Sequence, residues 1–225
     1  AASNFLAAQG PKHGASYHMK DEERRNFHFF PIPRRGQAFK HMNSAQRHLA
    51  HALVSTGLSH HGYVKTVTIM SLGQLLRDTS PPEEQDVYRD SDQYYVTIFG
   101  TPEPEGTWGW RFEGFHVSLN FTIIEGRWIA AAPSFLGSIP STVKEGPRRG
   151  LQVLRDEEEM ARQLARSFDA DQRRVAFGRL PVFEDTIGGF LTGNARRIEP
   201  GKPRGIPASR MTPSQRNRLM DLVRV

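Results

Sequence analysis

WGWRFEGFHVSLNFTIIEGRWIAAAP, residues 108–133, is the stretch whose reading decides the fold. Within it Phe115, Val117, Leu119, Phe121 and Ile123 alternate with His116, Ser118, Asn120 and Thr122. Successive side chains of a strand point to opposite faces, so this period of two predicts one packed apolar face and one row of hydrogen-bonding groups. Taking 109–124 as one strand and 127–133 as its partner makes Glu125-Gly126 the hairpin turn. That register sets Ile123 opposite Trp128, Phe121 opposite Ala130 and Leu119 opposite Ala132. The polar row either meets water or lines a site.

Outward from this hairpin, the chain reads as mixed helix and strand. AASNFLAAQ, at the start, has the look of the first turns of an amphipathic helix. Four stretches resemble capping boxes: Asn43-x-x-Gln46, Asp156-x-x-Glu159, Asp169-x-x-Gln172 and Thr212-x-x-Gln215. In each the first side chain would satisfy an open amide of the first turn and the fourth would reach back. Met42 and Met211 begin similar stretches, which helix-start grammar alone explains. Helices are expected near 43–57, 71–78, 156–167, 170–178 and from 212, with strands near 62–70, 93–100, 109–124 and 127–133. The fold expected is α+β, an antiparallel sheet around 93–133 flanked by helices. Residues 1–177 would form the core domain and 178–211 a Gly/Pro/Arg-rich surface segment. A terminal helix at 212–225 carries an apolar stripe, Leu219, Leu222 and Val223, that needs a partner; the natural chain is expected to continue past it.

Composition narrows the classes. With 225 residues the chain can bury a substantial core. A hydrophobic share of 37% and a mean hydropathy of −0.54 suit a soluble protein, and no run approaches the ~18 apolar residues of a membrane span. Cysteine is absent, which removes disulfides, thiolate metal sites and a cysteine nucleophile. The net charge of +6 comes mostly from arginine, a residue suited to carboxylate and phosphate. These arginines are scattered in pairs such as Arg34-Arg35 and Arg148-Arg149, without a basic stripe or a recognisable motif, so nucleic acid is not the expected partner.

Candidate chemistry concentrates on the hairpin. His116, beside Ser118 and Asn120, is a candidate base or metal ligand, set against the plainer reading of a hydrogen-bonded sheet histidine. Glu113 has the opposite parity in a regular strand and joins His116 only if Gly114 bulges. Arg111 and Ser118 would position a ligand. Trp108 and Trp110, near Phe112, would stack on a planar one or anchor the sheet to its neighbours. Elsewhere His48 and His51 are three apart on an expected helix and could face one metal. His60-His61 read as a turn, and His28 as a half-buried core residue. No G-x-S-x-G elbow and no phosphate-cradling glycine loop accompany these groups.

FGTPEPEGTWGWRFEGFHVSLNFT, with DEERRNFHFFPIPRRG and AQRHLAHALVSTGLS upstream and FLGSIPSTV and GPRRGLQVL downstream, resembles the uncharacterised bacterial family catalogued as domain of unknown function 3500. The resemblance implies an exported protein, periplasmic or secreted, whose signal peptide has been removed. Members often continue beyond the length seen here. They usually read Gly-His-His where this chain has Gly114-Phe115-His116, and no accepted activity comes with the family. Two function classes follow. One is a non-catalytic binding module or subunit of a larger assembly, meeting a protein partner or a second copy through 178–225. The other is an exported hydrolase or metal-assisted enzyme with its site on the polar face of the 109–133 hairpin.

Overall fold

The computed structural model describes residues 1–11, 13–81, 89–177 and 205–225. They form two compact units, Ala1–Val153 and Leu154–Val225. Residues 155–177, expected with the core domain, therefore group with the C-terminal helix, because their apolar side chains pack there. Most of the expected 178–211 surface segment lies outside the described residues.

The first unit is built on helices α1 (Ala2–Ala7), α2 (Ser44–Thr56) and α3 (His60–Thr79). Its strands are β1 (Ser16–Tyr17), β2 (Gln37–Ala38), β3 (Tyr95–Phe99), β4 (Trp108–Gly114), β5 (Val117–Ile124), β6 (Trp128–Ala130) and β7 (Ser134–Leu136). The order across the sheet is β1-β3-β4-β5-β6, with β2 also on β3 and β7 also on β5. Pairing is antiparallel throughout β3–β7, as expected for 93–133, and the short β1 adds a parallel pair with β3. The fold is α+β.

The capping grammar holds at α2, where Asn43 and Gln46 form the full reciprocal box. The expected strand at 62–70 is instead the first half of α3. Its β-branched residues suggested extended chain, but Thr66, Ile69, Met70 and Gly73 recur at helical spacing and are buried. Ser59 caps the helix, and the Thr66 and Thr68 hydroxyls donate back to the carbonyls of Gly62 and Val64, which reconciles them with a helix. His60 and His61 thus open a helix rather than a turn.

One apolar core joins α1, α2 and α3 to one sheet face through Phe5, Leu53, Ile69, Val96, Trp110 and Phe121. Full burial of side chains this large contributes about 1.5–3 kcal/mol each. Trp110 and Phe121, paired across β4 and β5, stack with centroids 4.2 Å apart. Gly57, which ends α2, sits on that stack: a Cβ there would lie 2.7 Å from each ring.

The second unit consists of α4 (Arg155–Arg166), α5 (Ala170–Phe177) and α6 (Pro213–Arg224). Leu164, Phe168 and Met211 are buried together, with Leu219 and Leu222 packed against them. Two members of the terminal stripe therefore find their partner within this unit, while Val223 remains 69% exposed. The Asp169 and Thr212 boxes form as expected. Their Gln172 and Gln215 carboxamides also bond each other at 2.9 and 2.8 Å. Asp156 is not a cap, since α4 begins one residue before it, and it lies in the acidic first turn that complements the helix dipole.

Candidate functional site

The strand read as 109–124 is two strands. β4 and β5 are joined by the two-residue turn Phe115-His116, and Gly114 pairs with Val117. The apolar parity changes across this turn, from Trp108, Trp110 and Phe112 to Val117, Leu119, Phe121 and Ile123. That switch was the sequence signal for a break. Tyr94 secures the turn: its ring leaves no room for a Cβ at Gly114, 2.4 Å away, and its hydroxyl donates to the Phe115 carbonyl. Beyond β5 the turn is longer than expected, and Ile123 pairs with Ile129 and Thr122 with Ala130.

Reversal at residues 115–116 assembles the expected polar row differently. Arg111 stands opposite Asn120 and Glu113 opposite Ser118, so these four share one face without any bulge at Gly114. His116 is not among them. It occupies the turn with φ of 62°, in the left-handed region that non-glycine residues seldom adopt. Its amide donates to the Phe29 carbonyl and its ring meets the edge of Phe135. Nδ1 is buried without a hydrogen-bond partner. Burial, and then the positive charge of Arg89, hold the imidazole down at about 4, so it is neutral near pH 7. Among the described residues no three His, Asp or Glu side chains converge in a way that could hold a metal ion, so the structure adds no co-ligands to His116 as a metal candidate.

The polar face is shielded from water at Arg111, Glu113 and Ser118, while Asn120 and Thr122 are partly exposed. The segment 21–35 lies across it and supplies charges that complement those of β4. Arg111 is fully buried; its Nη2 donates to Glu23 Oε1 at 2.6 Å and its Nη1 to the Glu23 carbonyl at 2.9 Å, with a further bond to the Asn26 carbonyl. The Nε atoms of Arg111 and Arg34 approach the two Glu113 oxygens at 2.7 and 3.3 Å, as ion-pair contacts rather than aligned hydrogen bonds. Arg34 also donates to the Gly114 carbonyl at 3.0 Å. Burial pushes the Glu113 carboxyl up against the opposing pull of both arginines, and it lowers Arg34. Two guanidiniums and two carboxylates balance, as a charge cluster removed from water must. Asn120 donates to the Pro133 carbonyl at 2.8 Å, and Ser118 is fully buried. His28, beside the cluster, is half-buried as expected and shifted down by burial and then by Arg34 and Arg111.

Reading the sequence did not find Glu23 and Arg34 as partners of β4. The alternation of Arg111 and Glu113 on one strand face hinted that complementary charges would cover them; nothing showed which residues would.

Trp108 and Trp110 point to the other face. Trp110 belongs to the core, whereas Trp108 is partly exposed at the rim of a cleft of about 540 Å³. Trp110, Phe121, Ile123 and Ile129 also line this cleft, and Thr56 and Glu103 are among its few polar side chains. His48 and His51 lie near each other, and among the described residues no third His, Asp or Glu joins them to hold a metal ion. His51 is engaged with the Tyr63 hydroxyl at 3.1 Å and packs edge-on against Phe39.

The model for the family described as protein of unknown function (DUF3500) matches residues 1–225. The chain belongs to that family. No curated protein and no solved structure matches it. Membership of DUF3500 carries no activity over, so the chemistry must come from the side chains themselves.

Proposed function

We propose that this DUF3500 protein is a non-catalytic binding module that holds an extended apolar segment of a partner protein and acts outside the cytoplasm. The carrying observation is the cleft of about 540 Å³ beside a free sheet edge. Among the described residues β6 pairs only with β5, so its outer amides and carbonyls are open to an added strand. Trp128 and Ile129 on β6 are 70% and 71% exposed. Ile129 continues the apolar lining formed by Trp108, Phe121 and Ile123, where alternate side chains of an incoming strand would seat. The groups most suited to catalysis on the hairpin's polar face, Arg111 and Glu113, spend their bonding capacity within the molecule.

Selection of a displayed random-heptapeptide library against the full chain tests this. Enrichment of apolar, alternating sequences whose binding perturbs tryptophan fluorescence and is lost in Ile129→Lys is the expected result. Binders indifferent to Ile129→Lys, or no enrichment over that variant, would overturn it. Fractionation of the native cells checks the compartment, and cytoplasmic recovery would remove that part.

The enzyme reading has one specific observation in its favour, the neutral His116 held at a left-handed φ with an unpartnered Nδ1, since backbone strain gathers at functional sites. Metal content by mass spectrometry on tag-free protein, compared with His116→Ala, decides it. Stoichiometric metal lost in the variant would favour that reading over the binding module.

A further inference from the structure

A second cleft in the first unit, of about 490 Å³, lies away from both hairpin faces already described. Its size falls within the range of small-molecule sites, where an apolar lining carries a few convergent polar groups. Phe39, Val67, Met70 and Leu75 provide the apolar part. The charged groups around it are not equivalent. Arg47 and Asp92 neutralise each other through two hydrogen bonds, which raise the arginine and lower the carboxyl. Asp78 accepts from Gln74 at 2.7 Å.

Arg148 is different. It reaches across from a distant part of the chain, and Nη1 donates to the Ser71 hydroxyl at 2.8 Å. That hydroxyl in turn donates to the Thr68 carbonyl at 2.7 Å. Among the described residues no carboxylate pairs directly with Arg148, so a positioned guanidinium borders the cleft. Asp78, answered only by the neutral Gln74, is the one opposing charge in the described lining besides the paired Asp92. His51 lines the same cleft. When the Tyr63 hydroxyl donates to Nδ1, the ring proton sits on Nε2, which leaves a second, uncharged donor. Burial is the main cause that keeps this imidazole below its ordinary value, so Arg148 is not joined by another cation near neutrality.

We propose that this cleft binds a small amphipathic carboxylate, its anionic head on Arg148 and its apolar body along Phe39, Val67, Met70 and Leu75. The site is independent of the partner-binding cleft, and neither proposal rests on the other. A guanidinium recognises a carboxylate bidentately, and an unbranched chain of a few methylenes supplies apolar area matched to the floor. The head confers charge selectivity and the floor selects against ions without a tail.

Isothermal titration of the full chain with hexanoate, acetate and hexanol tests this. Hexanoate should bind at a single site, with acetate and hexanol each weaker by about tenfold or more, the step that one lost recognition element produces. Arg148 is solvent-exposed, so Arg148→Gln should leave the melting temperature unchanged while weakening hexanoate about tenfold and removing most of its salt dependence. Ile129→Lys should leave hexanoate binding intact, which separates this site from the peptide-binding cleft. No hexanoate binding by the parent, equal binding by Arg148→Gln, or hexanol as tight as hexanoate would each overturn the proposal.

Discussion

The two faces of β4 and β5 are made from alternate residues of the same two strands, and they reach opposite states. On one face Arg111, Glu113, Ser118 and Asn120 have the chemistry of an active site, yet each is buried or bonded within the molecule. On the other face Trp108, Phe121 and Ile123 have no reactive groups, yet they border open space. Residue type alone would rank the faces the other way. The physical reason is what covers them. Segment 21–35 brings two complementary charges, Glu23 and Arg34, onto the polar face. Helices α1–α3 cover most of the apolar face but leave the rim beside β6 uncovered.

That contrast can be tested by breaking each face in turn. Arg111→Ala should have the largest effect, because it leaves Glu113 and Glu23 buried beside a lost partner. A loss of about 3–5 kcal/mol in denaturant unfolding is expected, and a change within experimental error would show that the cluster is hydrated. Replacing Arg111 and Glu113 together by Met and Leu should cost less than the sum of the single changes, because the two share one interaction. Gly57→Ala comes next: it forces a methyl against the Trp110–Phe121 stack and should cost about 1–3 kcal/mol by the same measurement.

Acid sensitivity is a smaller effect. His28, His51 and His116 are all held down by burial, so the folded chain keeps them neutral while the unfolded chain protonates near 6.5. Stability from this source is complete above pH 6.5 and declines as pH falls, for His116 until about 4. His116→Asn keeps a residue that tolerates left-handed φ and should flatten the slope between those values; an unchanged slope would mean that the ring is not held neutral. The smallest effect on folding should come from Ile129→Lys, within about 0.5 kcal/mol at so exposed a position. Its loss of peptide binding would then reflect recognition and not unfolding.

Much of the architecture was legible in the chain. The sheet region, α1, and the caps at Asn43, Asp169 and Thr212 are signals carried by neighbouring residues, and they appear where expected. Two misreadings have different causes. Residues 62–70 looked like a strand because β-branched side chains favour extended chain, until burial on a helical spacing outweighed them. His116 looked like part of a row because alternation was followed from residue 115 onward, past the parity change that marked the turn.

What the sequence determined by itself is local: the helix starts at Asn43, Asp169 and Thr212, the alternation of faces within a single strand, and the absence of cysteine chemistry. The tertiary structure decided which polar groups remain available, since that depends on partners far along the chain. Arg111 is satisfied by Glu23, 88 residues away, and Arg148 reaches Ser71 across 77. A local pattern encodes which way a side chain points relative to its own backbone; whether water, an opposite charge or a ligand meets it is fixed only when the distant segment arrives.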